Sequence, residues 1–160
     1  MAAGDVKMFS SYVQLMALAA NPAVWGGGDT LKFGIMTNAT VPSTTTADPR
    51  WGAGGTTNFA TNEVTPGGNY AAGGISITSP TTTLSTTHTN LNATSPISLA
   101  ANASNPTGAY WGIVYDSTDA GKHAIGFVDL GGPLSLAAGL TFNIAAVGSG
   151  TQIFFQSTVS

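Results

Sequence analysis

Residues 108–132 read GAYWGIVYDSTDAGKHAIGFVDLGG, and this stretch decides the fold of the chain. Residues 109–115 and 123–130 are apolar, aromatic or β-branched, which suits a pleated and buried surface. The run between them, Asp116–Lys122, holds a glycine and two aspartates, which is typical of a turn. Gly131-Gly132-Pro133 should end the second run, because proline cannot donate a hydrogen bond to a sheet. The stretch therefore predicts a β-hairpin in the middle of a β-rich core.

Both faces of this hairpin carry apolar side chains. Alternate side chains of a strand point to opposite faces, so Trp111, Ile113 and Tyr115 should point one way and Tyr110 and Val114 the other. We therefore expect other parts of the chain to cover both faces. The predicted core residues of the hairpin are Tyr110, Trp111, Ile113, Val114, Tyr115, Ile125, Phe127 and Val128.

The chain carries unusually few charges. Only 7% of its 160 residues are Asp, Glu, Lys or Arg, against about 25% in a typical soluble domain. Such a surface is poorly protected against association, so we interpret it as one that contacts other protein. The four basic residues stand singly, which argues against nucleic-acid binding. There is no cysteine, so packing or oligomerisation must stabilise the fold.

The length fits a single domain, 1–160, and the rest of the chain predicts strands around one helix. Asp5 and the helical spacing of apolar residues after it predict a helix over 5–20, which Asn21-Pro22 ends. Thr30–Thr37 alternates like a half-buried strand. Further strands are predicted at 75–78, 81–90, 97–100, 140–145 and 151–156. Six to eight strands indicate a mainly β fold, either a β-sandwich or a jelly-roll-like barrel, with one short N-terminal helix.

The segment Asn38–Pro66 is predicted to be a long loop with almost no periodic apolar pattern. A loop of this length in a compact domain usually has a function, and we expect contacts with neighbouring subunits to order it. Large aromatic and arginine side chains in loops are typical anchors of protein interfaces. The interface candidates are Trp25, Trp51, Arg50 and Phe59.

Ser117, Asp119 and His123 are the residue types of a catalytic triad and lie close together in the sequence. A triad needs one proton path through all three groups and a pair of donors for the oxyanion. Because a polar β-turn normally contains these residue types, we interpret them as turn residues. We expect no catalytic residue, and no enzyme.

Metal and cofactor sites are not expected either. His88 and His123 are the only histidines, and no third ligand stands at metal spacing. Asp116 and Asp119 with turn carbonyls lack the further carboxylates of a usual calcium site. Glu63 is the only glutamate, so a glutamate pair for glycoside cleavage is absent.

The N-terminal residues resemble a targeting signal only in part. Lys7 and the apolar run that follows it have the layout of a secretory signal, but Ser10, Ser11 and Gln14 interrupt the run. The run is also shorter than the about 20 residues that a membrane span needs. We therefore interpret it as a packing helix and expect no membrane contact.

Several segments carry a resemblance by their order along the chain. They are Leu31–Met36, Asn62-Glu63-Val64, Asn69–Gly74, Ala109–Asp116 and Ile125–Gly131. This order is similar to that of small virion proteins of tailed bacteriophages, which serve as capsid decoration (cement) proteins or as other head and tail structural proteins. The resemblance spans most of the chain.

The resemblance implies a β-rich domain without catalysis or cofactor that binds the major capsid protein lattice and stabilises the assembled head. It places the protein on the capsid surface of the virion, after synthesis in the host cytoplasm. A homo-oligomer is expected, with a trimer favoured because coat lattices offer threefold positions. The alternatives are a tail or fibre component, or a carbohydrate-binding adhesive module that uses Trp25 and Trp51.

Overall fold

The computed structural model describes residues 4, 6–17, 28–84, 88–93, 95–142 and 152–158. The chain is mainly β, with antiparallel multi-stranded sheets and a single short N-terminal helix among these residues. The predicted fold class is confirmed. The sheets stay open and do not close into a barrel.

The elements in the described residues are short, apart from the central hairpin. The helices are α1, Ser10–Ala17, and a 3-10 helix, Phe59–Asn62. The strands are β1 Val6–Met8, β2 Leu31–Met36, β3 Pro49–Arg50, β4 Thr57–Asn58, β5 Ile75–Ser76, β6 Pro80–Leu84, β7 His88–Ala93, β8 Ile97–Leu99, β9 Ala109–Asp116, β10 Ala124–Leu134, β11 Leu140–Phe142 and β12 Gln152–Thr158.

A five-stranded antiparallel sheet in the order β1-β10-β9-β2-β5 forms the centre of the fold. The predicted hairpin is confirmed as β9 and β10. The sequence predicted that Gly131-Gly132-Pro133 would end the second strand. This is wrong, because β10 continues to Leu134. The register with β9 shifts between Asp129 and Leu134, and this irregularity accommodates Pro133 without a regular ladder bond.

One face of the central sheet, here called the Trp51 face, is covered by aromatic rings. Gly34, Ile113 and Phe127 lie opposite one another on β2, β9 and β10, so they share this face. Phe9 packs on Phe127 with ring centroids 5.0 Å apart. Trp51 stacks on Tyr115 at 5.2 Å. The N-terminal segment and the 38–66 segment therefore cover this side of the sheet.

The opposite face, here called the Phe33 face, is covered by the ribbon of β8 and β11. Phe33 and Val114 lie opposite each other on β2 and β9. Phe142 of β11 stacks on Phe33 with ring centroids 5.7 Å apart. The prediction that both faces are covered is thus confirmed. Six of the eight predicted core residues are buried, whereas Tyr110 and Trp111 are half-buried.

The 38–66 segment was expected to be ordered by neighbouring subunits, but contacts within the chain order it. It contains the short parallel pair β3–β4 and the 3-10 helix. Its apolar anchors Trp51, Phe59 and Val64 are buried. These short elements and buried anchors hold the polar segment against the rest of the chain.

Two further predictions about element boundaries are wrong. The N-terminal helix begins at Ser10 instead of Asp5, because residues 6–8 form strand β1, in which Val6 lies opposite Val128. Its predicted end at residue 20 lies outside the described residues. The single strand predicted over 81–90 is instead two paired strands, β6 and β7.

Strand β2 is confirmed, although it is buried on both faces and not half-buried as predicted. Short strands β5 and β8 lie within the predicted 75–78 and 97–100 segments. Strand β11 confirms the start of the predicted 140–145 strand, whose remaining residues lie outside the described part of the chain. The last prediction, 151–156, corresponds to β12.

Candidate functional site

The loop between β9 and β10 is closed by its own aspartates. Asp116 Oδ1 accepts hydrogen bonds from the backbone N–H groups of Thr118 (2.8 Å) and Asp119 (3.2 Å). Asp119 Oδ1 accepts from the N–H of Gly121 at 3.0 Å, and its Oδ2 pairs with Nδ1 of His123. This is the turn chemistry for which aspartate is selected. The two carboxylates are therefore engaged inside the turn.

The 48–51 segment docks against this turn. Arg50 Nε donates to Asp48 Oδ1 at 3.1 Å, and Arg50 Nη1 donates to the carbonyl of Gly121 at 3.5 Å. The N–H of Trp51 donates to the carbonyl of Lys122 at 2.9 Å. Arg50 was predicted to be an interface residue, but its guanidinium is directed to partners within the chain. The ion pair and the turn together position Trp51 over the sheet.

The pKa values of the two aspartates in the turn are shifted in opposite directions. Burial raises the pKa of the Asp116 carboxyl, and the N–H bonds from Thr118 and Asp119 offset this only in part. Burial would also raise the pKa of Asp119, but its hydrogen bonds from Gly121 and His123 outweigh that effect and hold the pKa below its ordinary value. Asp119 is thus an ionised partner for His123.

A catalytic triad is not assembled at this turn. Asp119 and His123 are brought together, but Ser117 Oγ donates to the carbonyl of Thr30 at 2.6 Å. The serine hydroxyl therefore has no hydrogen bond to the imidazole. The turn therefore lacks the serine–histidine hydrogen bond of a triad, and the His–Asp pair helps to hold the turn.

Substitution of Asp116 separates its hydrogen-bonding role from the cost of burying its charge. We expect Asp116→Ala to lower the free energy of unfolding by about 1–3 kcal/mol, because it leaves the N–H groups of Thr118 and Asp119 without their acceptor. Asp116→Asn keeps an acceptor oxygen and carries no charge, so it should be neutral or stabilising at neutral pH. Urea unfolding followed by circular dichroism measures both values.

The pH dependence provides the control for this comparison. Because the folded-state pKa of Asp116 is raised, its burial costs stability once the pH exceeds the ordinary value of 3.8, and the cost is complete above the raised pKa. The advantage of Asp116→Asn over the wild type should therefore grow between about pH 3 and pH 7. An advantage that shrinks over this range would contradict the assignment.

A second polar network, which the sequence analysis did not find, centres on Glu63. Glu63 Oε1 accepts from the Tyr70 hydroxyl at 3.0 Å and from the N–H of Gly73 at 2.7 Å. The Tyr70 hydroxyl accepts from the N–H of Ile35 at 2.8 Å, and the Tyr115 hydroxyl donates to the Gly73 carbonyl at 2.6 Å. Burial raises the pKa of both tyrosines far above its ordinary value. The network ties the glycine-rich 67–74 segment to the sheet.

A polar groove of about 340 Å³ runs beside this network. Its lining is mostly threonine, proline, serine and asparagine, with Glu63 as its one charged residue. The lining residues are Thr37, Glu63, Val64, Thr65, Pro66, Ser104, Asn105, Pro106 and Thr107. Glu63 Oε1 already accepts hydrogen bonds from Tyr70 and Gly73. The lining contains no second ionisable side chain that could form an acid–base pair with Glu63. We therefore assign it no catalytic role.

Across the described residues, no cluster of three or more histidine, aspartate or glutamate side chains is placed to hold a metal ion. The same part of the chain contains no helix that is both long and apolar enough to cross a membrane. The His–Asp pair and the Glu63 network are the clearest polar constellations of the fold. Both are tied to neighbouring backbone groups.

The predicted interface anchors Trp51 and Phe59 are core residues, so that prediction is wrong for these two. Trp51 is 3% exposed and Phe59 is fully buried. Trp51 can enter the core because Gly34 has no side chain beneath its ring. Trp111 is half-buried, and its Nε1 donates to Asn38 Oδ1 at 3.0 Å. Trp25 lies outside the described residues.

Comparison of the chain with protein-family models, with curated proteins and with solved structures finds no match. The resemblance to virion proteins of tailed bacteriophages therefore stays a prediction from the order of the sequence segments. In the fold, polar side chains such as Asp116, Asp119 and Glu63 hold loops in place through hydrogen bonds. Few of the charged residues described are exposed.

Proposed function

We propose that this chain is a non-enzymatic structural protein that acts through contact with other protein. In its specific form the proposal is capsid decoration: the chain binds the major capsid protein lattice of a tailed-phage head and stabilises the assembled shell. The capsid part rests on the sequence resemblance. The general part rests on the distribution of charge over the fold.

The observation that carries the proposal is the scarcity of exposed charges. Among the charged residues whose side chains are described, Lys7 and Lys122 are exposed residues, and the Asp48 side chain is 41% exposed. Asp48 and Arg50 pair with each other, and Glu63 is bonded within the chain. A protein that works alone in water usually carries many solvated charges. A surface of neutral polar groups is suited to burial against another protein.

Decoration of a lattice requires no strong single contact. Each subunit makes weak polar and apolar contacts, and the symmetry of the shell repeats them many times. Because the bound subunit prefers the assembled lattice over separated capsomers, binding raises the free energy needed to pull the shell apart. A chain with neutral polar surfaces and a rigid β core supplies contacts of this kind.

Co-sedimentation with capsids tests the proposal. The purified protein is mixed with mature and immature phage shells that lack it, and pelleted protein is measured against free concentration. We expect saturable binding to mature shells and a higher bursting temperature for decorated particles. Protein centrifuged without shells is the control for aggregation.

Two results would contradict this proposal. Equal bursting temperatures for stripped and decorated particles would remove the stabilising role. A lack of binding to both shells would remove capsid decoration and favour the tail or fibre alternative, for which a glycan panel is the next measurement.

A further inference from the structure

We propose that the polar groove beside Glu63, here called the Glu63 groove, binds the ammonium group of a lysine side chain on a partner protein. The groove is lined by residues 63–66 and 104–107 and by Thr37. The inference rests on the proposed function, contact with other protein, and names the chemistry of one such contact.

One oxygen of the Glu63 carboxylate is left for a ligand. Oε1 accepts hydrogen bonds from the Tyr70 hydroxyl at 3.0 Å and from the N–H of Gly73 at 2.7 Å. Neither donor residue lines the groove, so these bonds draw Oε1 towards the 67–74 segment. Oε2 accepts no hydrogen bond from the described part of the chain. Oε2 is therefore the oxygen that is left for the groove.

The charge of Glu63 has no cation paired with it. Among the described residues, no lysine, arginine or histidine forms an ion pair with Glu63. Lys32 Nζ approaches the network near Gly73, but Lys32 does not line the groove. Because Glu63 is the one charged residue of the lining, a cation that enters the groove meets an opposite charge and no like charge.

The bonds of the carboxylate select an ammonium over a guanidinium. A guanidinium pairs best through two parallel hydrogen bonds, one to each carboxylate oxygen. An ammonium is a compact charge with three donors and needs only one carboxylate oxygen, which is what Glu63 offers. Thr65, Ser104 and Thr107 also line the groove, and their hydroxyls have no hydrogen-bond partner among the described residues. These hydroxyls can accept the other ammonium donors.

The lining also suits the aliphatic part of lysine. Val64, Pro66 and Pro106 contribute apolar groups to the groove. A lysine side chain packs its methylene groups along such a surface and keeps its ammonium at polar groups. The groove volume of about 340 Å³ lies at the lower end of the range of about 300–1,000 Å³ for ligand pockets. It therefore suits a single side chain better than a large ligand.

Both walls of the groove are already held in place. The N–H of Val64 donates to the carbonyl of Ile35 at 3.0 Å, and the N–H of Leu136 donates to the carbonyl of Pro106 at 2.9 Å. A preformed site loses less conformational entropy on binding. A single, partly exposed ion pair is nevertheless weak, so we expect millimolar affinity for one lysine. Repetition over a symmetric shell would make such contacts effective.

Titration of the isotope-labelled full chain with N-acetyl-lysine amide, followed by nuclear magnetic resonance, tests the proposal. We expect saturable shifts of the backbone N–H signals of Val64, Thr65 and Thr107. N-acetyl-norleucine amide, which lacks the ammonium, and N-acetyl-arginine amide should bind more weakly by at least about threefold. Binding of butylammonium without binding of the lysine amide would overturn the assignment to a protein side chain.

Substitution of Glu63 tests the role of its charge. Glu63→Gln can keep an acceptor for Tyr70 and Gly73, and it should weaken binding of the lysine amide by at least about fivefold. The matched control is Asp129→Asn, which removes the same charge outside the groove and can still accept from the N–H of Gly131. This control should bind as the wild type does. Circular dichroism establishes that each variant is folded, and if Glu63→Gln is not, the three amides on the wild type decide the question.

Three results would overturn the proposal. They are a wild type whose groove signals do not respond to the lysine amide, equal affinity for the norleucine or arginine amide, and equal affinity in the folded Glu63→Gln variant. Co-sedimentation with capsids separates this inference from the proposed function. Shell binding that Glu63→Gln leaves unchanged would overturn the inference and leave capsid decoration standing. Lysine-amide binding by a chain that binds no shell would refute capsid decoration and leave the ammonium site standing.

Discussion

Replacing Gly34 with alanine should lower the free energy of unfolding by about 3 kcal/mol, as overpacking of a filled core does. Gly34 lies in β2, opposite Ile113 of β9. A Cβ atom at this position would overlap Cη2, Cζ3 and Cζ2 of the Trp51 ring. Trp51 cannot withdraw without losing its stacking on Tyr115 and uncovering the sheet.

The clash can be tested through its partner. The overlapping atoms lie at the outer edge of the indole, which extends farther from the backbone than the ring of a phenylalanine would. The cost of Gly34→Ala should therefore be smaller in a Trp51→Phe background, with a coupling energy of about 1–2 kcal/mol in a double-mutant cycle. Urea unfolding of the four proteins provides the values.

A matched glycine shows whether the effect is specific. A Cβ at Gly28 would meet no atom within 4 Å, and Gly28 does not have a positive φ. Gly28→Ala should therefore change stability by less than about 0.5 kcal/mol. Equal losses for the two alanine variants, or additive losses in the cycle, would show that the Trp51 ring does not determine the need for glycine at position 34.

The central hairpin could be predicted from the sequence because its signals are local. Two apolar runs flank a turn rich in aspartate and glycine, and the structure forms β9, β10 and the loop between them from those residues. The sequence also indicated that both faces would be covered. It could not indicate that β10 passes Pro133, because that depends on a register shift against β9.

The role of the 38–66 segment could not be predicted, because it depends on contacts with residues far away in the sequence. Trp51 and Phe59 resembled interface anchors in a polar loop. Their burial depends on the place that Gly34 leaves in β2 and on the ring of Phe9, which stacks on Phe59 at 5.7 Å. No periodic pattern in the sequence shows that the ring of Trp51 will pack on Gly34. The start of α1 was missed for a similar reason, because pairing with β10 determines it.

The hydrogen-bond networks of the turn and of Glu63 could be predicted from the sequence only in part. Asp119 and His123 are four residues apart in a turn, so their pairing follows from local geometry. Ser117 has the same proximity in sequence, yet it bonds to Thr30, which directly precedes the neighbouring strand β2. Glu63 stood out as the only glutamate of the chain, but its partners depend on how the 67–74 segment folds back. Unusual residues can be identified from sequence, whereas their partners are a property of the fold.

Asn105 is another buried polar residue whose partners are set by the fold. Its side-chain amide connects the residue after β8, the 67–74 segment and the loop before β11. The side chain is buried, with Asn105 4% exposed. Its Nδ2 donates to the carbonyls of Ala100 and Leu136, each at 2.9 Å, and its Oδ1 accepts from the N–H of Asn69 at 2.8 Å. The amide therefore needs both its donor and its acceptor ends.

Asn105→Asp should abolish stable folding at neutral pH, or lower the free energy of unfolding by more than about 3 kcal/mol. The carboxylate keeps the acceptor for Asn69 but places an oxygen against the carbonyls of Ala100 and Leu136, at a position where the side chain is buried. Burial would raise the folded-state pKa of the new acid, so the loss should be largest above the ordinary carboxyl pKa and should shrink as the pH falls below it.

Asn102→Asp is the matched control, because Asn102 Oδ1 accepts from the N–H of Ser104 at 2.9 Å and aspartate preserves that bond. It adds the same charge three residues away and should cost less than about 1 kcal/mol. Thermal and urea unfolding at about pH 3 and pH 7 distinguish the two variants. If Asn105→Asp unfolded at the wild-type midpoint at neutral pH, the amide would not be the joint between β8, the 67–74 segment and the loop before β11, and the order of these segments would have to come from apolar packing alone.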